Sequence, residues 1–175
     1  MAAAVILPAG VPFRGVDDSK RLSERERERA AERVRERALA YRVEEIGVEE
    51  LEAIGPYKAA LRAMTQALEG LDPRPDYALV DARRLPSLSI PHESPIGGDG
   101  LHLCIGAASV LAKVHRDRIM AALAELYPVY GFEKHKGYGT AAHLEALRAH
   151  GPCPAHRRTY APVRELLSRQ ASLFS

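Results

Sequence analysis

The chain has 175 residues, 46% of them apolar and 27% charged, with a formal net charge of +2. That length suits one compact domain with a real core rather than two. The ordinary composition excludes a disordered, fibrous or disulfide-built chain, and the small net charge identifies no partner.

Cys104 lies in an apolar run and Cys153 between two prolines, so both read as reduced thiols. No apolar stretch approaches membrane-spanning length, and Met1 to Pro8 lacks the basic start of a secretory signal. The expected compartment is the cytoplasm, with no membrane partner. Charge is unevenly spread. Between Lys113 and Arg158 eight Lys/Arg face four Asp/Glu, a net of +4, with five of the seven histidines. A basic, His-rich C-terminal half fits a polyanion, although imbalances of this size are common.

Ala2 to Leu7 is an apolar run ended by Pro8, which suits a buried strand. Ser23 with Glu26 makes a capping box, so a helix begins near Glu24. Its Glu/Arg alternation and the thin face of Ala30, Val34 and Ala38 describe a solvated outer helix. Ala40 to Ile46 reads as a strand. From about Pro56, the helical spacing of Leu61, Met64, Leu68 and Leu71 indicates an amphipathic helix on a sheet.

Tyr77 to Val80 is a short buried strand that delivers Asp81 at its end, and Leu88 to His92 forms another. A long helix runs from about Leu103 to Leu126. Thr140 caps a helix through His150, and a last one covers Pro162 to Arg169. Strands followed by alternating helices indicate an α/β fold.

Three places could carry chemistry. Asp81, at a strand end, is placed to face a ligand or metal, or is simply a turn former. Ser109, Lys113 and Asp117 recur every four residues along a helix that is otherwise apolar from Leu103 to Val114. Buried polar groups need partners. The row is either an ion pair with a self-satisfied serine, or a carboxylate for divalent cations beside two phosphate contacts. Third, the segment GFEKHKGYGT from Gly131 to Thr140 offers Tyr138 between glycines, with Lys134 and Lys136 nearby. Such a ring stacks on a base or sugar, or merely packs on the domain. A zinc site from His135, His143, His150 and His156 is disfavoured, because no Cys joins them at ligand spacing.

These segments occur in an order that resembles ribonuclease HII, the type-2 ribonuclease H family, from Ala2 to about Val163. Asp18 to Ser23 (DSKRLS), Leu79 to Asp81 (LVD), Gly98-Asp99, Ala107 to Asp117 (AASVLAKVHRD), Tyr127 to Phe132 (YPVYGF), Lys134 to Thr140 (KHKGYGT) and His156-Arg157 carry the resemblance. The resemblance implies a ribonuclease H-like mixed sheet flanked by helices, with a C-terminal helical segment. Residues 1–168 would form the catalytic domain, and 169–175 a tail.

It also implies Mn²⁺- or Mg²⁺-dependent hydrolysis of RNA in RNA–DNA hybrids and at ribonucleotides embedded in duplex DNA. Two metals held by four carboxylates would leave 5′-phosphate and 3′-hydroxyl ends. Asp81 matches the third carboxylate and Asp117 the fourth. Tyr138 matches the tyrosine that stacks at the RNA–DNA junction, and Ser109, Lys113 and Lys136 are candidate nucleic-acid contacts.

Two departures stand out. The family opens with an Asp-Glu-Ala-Gly-Arg-Gly strand ahead of the segment matched by Ala2 to Pro8. It is the central strand of the sheet, supplies the first two carboxylates and reads the ribonucleotide 2′-hydroxyl. It is missing here, and Asp17 and Asp18 do not replace it. The expected consequence is an open core and little activity for these residues alone; the alternative is a non-catalytic remnant that binds nucleic acid or the clamp. The second departure is Gly97, where the family usually carries a basic residue. Finally, Gln170 to Phe174 (QASLF) resembles the peptide that docks into the DNA sliding clamp through an apolar anchor, with Gln170, Leu173 and Phe174 as contacts; a chance match in a frayed terminus is the other reading.

Overall fold

The computed structural model describes residues 1–10, 13, 16 and 22–172, with side chains to residue 169. They form two compact units, residues 1–46 with 57–115 and residues 47–56 with 116–175.

In the first unit, strand β1 (Ala2–Ile6) pairs antiparallel with β2 (Ala40–Glu44), Ala2 opposite Glu44 and Ile6 opposite Ala40. Between them runs helix α1 (Glu24–Arg37), whose capping box forms as expected: Ser23 accepts from the Glu26 amide and Glu26 accepts from the Ser23 amide. Acidic side chains in the first turn and basic ones in the last complement the helix dipole.

Helix α2 (Val48–Ile54) belongs to the second unit and buries no residue. Its Val48, Leu51 and Ile54, three residues apart along one side, are only half-buried. Helix α3 (Pro56–Glu69) leads to β3 (Ala78–Leu79), which pairs parallel with β4 (His92–Glu93). A short helix α4 (Gly98–Leu101) precedes α5 (Leu103–Leu126), whose bounds match the sequence reading.

Period-two alternation gives β1 two buried faces. Ala3, Val5 and Leu7 pack on a core of Ala30, Ala31 and Val34 from α1 with Ala107, Val110, Leu111 and Val114 from α5. Ala4 and Ile6 face Ala67 and Leu71 on the other side. The α1 side chains at this contact are small and wholly buried, so the thin apolar face of the sequence is a close-packing face.

The fold is mixed α/β, with its described strands in two separate pairs. On α3 the fully buried residues are Ala59, Ala63 and Ala67, whereas Leu61 and Met64 are only half-buried.

The second unit is helical. After α5 come a 3₁₀ turn (Pro128–Tyr130), α6 (Phe132–His135), α7 (Ala141–His150) and α8 (Ala161–Ser172). Thr140 caps α7 by accepting from the His143 amide, and α7 ends at Gly151. Met120, Tyr130, Phe132, Leu147 and Val163 form its core.

Candidate active site

A groove of about 810 Å³ lies between β1 and β3 in the first unit. One wall consists of every residue from Met1 to Leu7, the other of every residue from Pro73 to Asp81. Side chains alternate between the faces of a strand, so an unbroken run of lining residues means that the strand's edge forms the wall. The floor is one face of α5, through Cys104, Ile105, Ala108, Ser109 and Ala112, with Met64 and Leu68 of α3 beside it. The half-burial of Met64 follows from this opening.

The edge of β3 that faces away from β4 is unbonded among the described residues. Amides of Ala78, Val80 and Ala82 donate to carbonyls of Pro91, Glu93 and Pro95 at 3.0, 2.9 and 3.0 Å. Alternate residues of a strand point their backbone groups to opposite sides. Leu79 and Asp81 therefore turn theirs away from β4. The groove is thus walled on one side by a strand edge that is unbonded among the described residues.

Asp81, two residues beyond β3, lies on this groove, half-buried and with no hydrogen bond or ion pair among the described residues. Gly98 approaches it closely: a Cβ there would sit 3.6 Å from Asp81 Oδ1 and 2.5 Å from Ile105 Cδ1. The neighbouring Gly97 has φ 69°. The left-handed conformation favours glycine.

The structure brings Asp81 and Ser109 onto one groove. Lys113, one turn further along α5, is half-buried, and Asp117 is buried at 5% exposure in the second unit. Lys113 and Asp117 both have interaction partners.

In the second unit Tyr138 is 64% exposed, so its ring does not pack into the domain. The Arg116 guanidinium lies 5.8 Å from its centroid and donates to the Lys136 carbonyl at 2.9 Å. Lys136 adopts φ 51° and Gly137 φ 79°, the turn that carries the chain round the ring. Lys136 is half-buried and Lys134 exposed. Sequence reasoning missed Arg116 as the support of Tyr138, although it stands in the Arg-Asp of the Ala107–Asp117 block.

Sequence reasoning also missed that His135, His143 and His156 meet, all three buried. His135 stacks on His143 at 4.3 Å, and Phe132 packs against all three rings. Burial, with repulsion from His143, holds His156 down to about 4, and burial also lowers His143. Every ring nitrogen in the cluster has a protein partner.

Among the described residues no group of three or more His, Cys, Asp or Glu is arranged to hold a metal. Divalent cations of the Mg²⁺ type need several oxygen ligands, most often carboxylates and water. Asp81 and Asp117 therefore do not by themselves make the implied two-metal site. No described helix is long and apolar enough to cross a membrane. Asp17, Asp18, Leu173 and Phe174 lie outside the described residues, as does the Gln170 side chain.

The architecture is that of the ribonuclease H class of α/β proteins. The ribonuclease H2 of Pyrococcus horikoshii OT3 superposes with TM-score 0.73 at 23% identity, over 89% of this chain and 81% of that one. RNase HII from Archaeoglobus fulgidus, solved as a PCNA:RNase HII complex, gives TM-score 0.65 at 24% identity over 82% and 77%. Bst-RNase HIII, solved with Mn²⁺, gives 0.58 at 16% identity over 88% and 58%.

The sequence is more specific. Residues 2–163 match the Ribonuclease HII family model. The Ribonuclease HII of Idiomarina loihiensis is 48% identical over 168 residues, 96% of this chain and 90% of that protein. Ribonuclease HII 2 of Methylibium petroleiphilum is 53% identical over 167 residues, 95% and 77%. The chain belongs to the ribonuclease HII family, and by family it is a ribonuclease H.

Proposed function

We propose that this chain is the body of an endoribonuclease that cuts RNA in RNA–DNA hybrids and at ribonucleotides embedded in duplex DNA, leaving 5′-phosphate and 3′-hydroxyl ends. Residues 1–168 act as its catalytic domain. Asp81 and Asp117 serve as carboxylates for Mn²⁺ or Mg²⁺; Ser109, Lys113 and Lys136 contact the nucleic acid, and Tyr138 stacks on it. One observation carries the reading: Asp81 opens with Ser109 onto a groove bounded by two strand edges. The Mn²⁺ in Bst-RNase HIII supports the choice of metal.

The two carboxylates need companions, so the 175 residues alone cut little. A strand lying in the groove would bond both edges and bring further carboxylates beside Asp81. The test is cleavage of a duplex containing one ribonucleotide, with Mn²⁺ or Mg²⁺, by the chain alone and with an Asp-Glu-Ala-Gly-Arg-Gly strand joined ahead of Met1. Cleavage only by the extended chain is expected. Robust cutting by the chain alone overturns the incomplete site, and binding without cutting in both forms favours a non-catalytic role.

The tail at 169–175 is proposed to dock on a DNA sliding clamp through Gln170, Leu173 and Phe174. The PCNA complex of the Archaeoglobus relative supports a partner of this kind. Clamp affinity that survives deletion of residues 170–175 counts against it.

A further inference from the structure

The carbonyl of Tyr138 accepts two hydrogen bonds, from the Thr140 amide at 2.8 Å and from His143 Nδ1 at 2.9 Å. A carbonyl only accepts, so His143 carries its proton on Nδ1 and, when neutral, has a bare Nε2. That Nε2 lies 3.0 Å from Nε2 of His156, which must then be the donor. The other nitrogen of His156, Nδ1, is left to accept. It does, from the Cys153 amide at 3.0 Å, with the Cys153 thiol at 3.1 Å.

The directions therefore run one way, from the Cys153 amide through His156 and His143 to the Tyr138 carbonyl. No other proton assignment satisfies all three bonds with neutral rings. The lowered proton affinities of both rings agree with this neutral state at neutral pH.

We propose that His143 and His156, neutral and in opposite tautomers, are positioning residues that hold the backbone of Tyr138 and so aim its exposed ring. The proposal rests on the reading of Tyr138 as a nucleic-acid contact. The loop is held from its other side as well. His135 Nδ1 accepts from the Gly137 amide at 3.2 Å, and the His135 carbonyl accepts from the Tyr138 amide at 2.9 Å. Gly139 lies against the Tyr160 hydroxyl with no room for a Cβ. Among the described residues, the His143 ring supplies the only side-chain bond to the Tyr138 carbonyl, the other donor being the Thr140 amide. Neither histidine touches substrate; both act through Tyr138.

Ring ¹⁵N shifts of the full chain at pH 7.5 test the relay. They should show His143 protonated on Nδ1 and His156 on Nε2; the reverse pattern, or one tautomer for both, overturns it. Positioning is tested with two variants. His143→Asn keeps a donor where Nδ1 stands, and His143→Leu removes it. Amide exchange at Tyr138 and Thr140 should quicken roughly tenfold in H143L and recover in H143N; equal exchange in all three overturns the proposal.

Binding to a duplex with one ribonucleotide, read by fluorescence anisotropy, separates the two levels. H143L should weaken binding roughly tenfold in the parent and have no effect beside Tyr138→Ala. An equal loss on both backgrounds makes His143 merely structural. Unchanged binding in Y138A instead overturns the role of Tyr138, and the exchange and tautomer results still decide the relay.

Discussion

The Arg116 guanidinium lies 5.8 Å from the centre of the Tyr138 ring, and the same group donates to the carbonyl of Lys136 at 2.9 Å. One side chain thus braces the turn before the tyrosine and approaches the ring itself. A cation over an exposed ring contributes about 0.5–1 kcal/mol, and the hydrogen bond a similar amount. Arg116→Ala should therefore lower stability by roughly 1–2 kcal/mol and weaken binding to a ribonucleotide-containing duplex by at most roughly 5- to 30-fold. Anisotropy titration beside a melting curve checks this. An intact affinity would mean the ring needs no brace.

Gly106 sets two effects of opposite sign against each other. It sits within α5, where replacing Gly by Ala ordinarily stabilises a helix by about 1 kcal/mol. Here a Cβ would lie 2.8 Å from the Val16 carbonyl oxygen and 3.0 Å from that of Asp99. Both obstacles are backbone, so neither swings aside, and overpacking costs about 1–3 kcal/mol. The overlap should win, and Gly106→Ala should lower the urea midpoint. A higher midpoint would show that both backbone segments yield freely.

The buried histidines tie stability to pH. The proton affinity of His156 is held down to about 4 from an ordinary 6.5 by burial, by repulsion from His143 and, more weakly, by His135. Its ring also packs against Tyr130 and Phe132. The unfolded chain therefore takes up the proton first as pH falls. Its contribution is complete above about 6.5 and is lost between there and about 4. A shift of that size corresponds to roughly 2–4 kcal/mol. Urea unfolding from pH 7.5 to 4.5 should show the loss, and His156→Gln should flatten the slope.

Local signals were legible because local chemistry decides them. Ser23 and Glu26 close their capping box within one turn, Thr140 caps its helix, and α5 keeps the bounds that its apolar run implies. What escaped depends on contacts between distant segments. His135, His143 and His156 lie on three stretches of chain, and spacing speaks only to a zinc site, not to whether the rings meet. Arg116 reaches Lys136 and Tyr138 across the turn after α5. The strands could be read as strands, but which edge stays open is a property of neighbours. Met64 reads as core because the pattern cannot show that part of its surface faces a groove.

That groove yields the last prediction. Ala108 lies on its floor and is half-buried, so a larger apolar side chain there would fill open space rather than displace packed atoms. Burying the added carbons contributes roughly 1–2 kcal/mol. Ala108→Leu should therefore raise the melting temperature of the chain by itself. The same side chain would stand where a strand between β1 and β3 must lie. When the Asp-Glu-Ala-Gly-Arg-Gly strand is joined ahead of Met1, A108L should reduce both the stability gained and the cleavage restored. A strand that seats elsewhere would leave both gains intact, because Ala108 would then be outside its path.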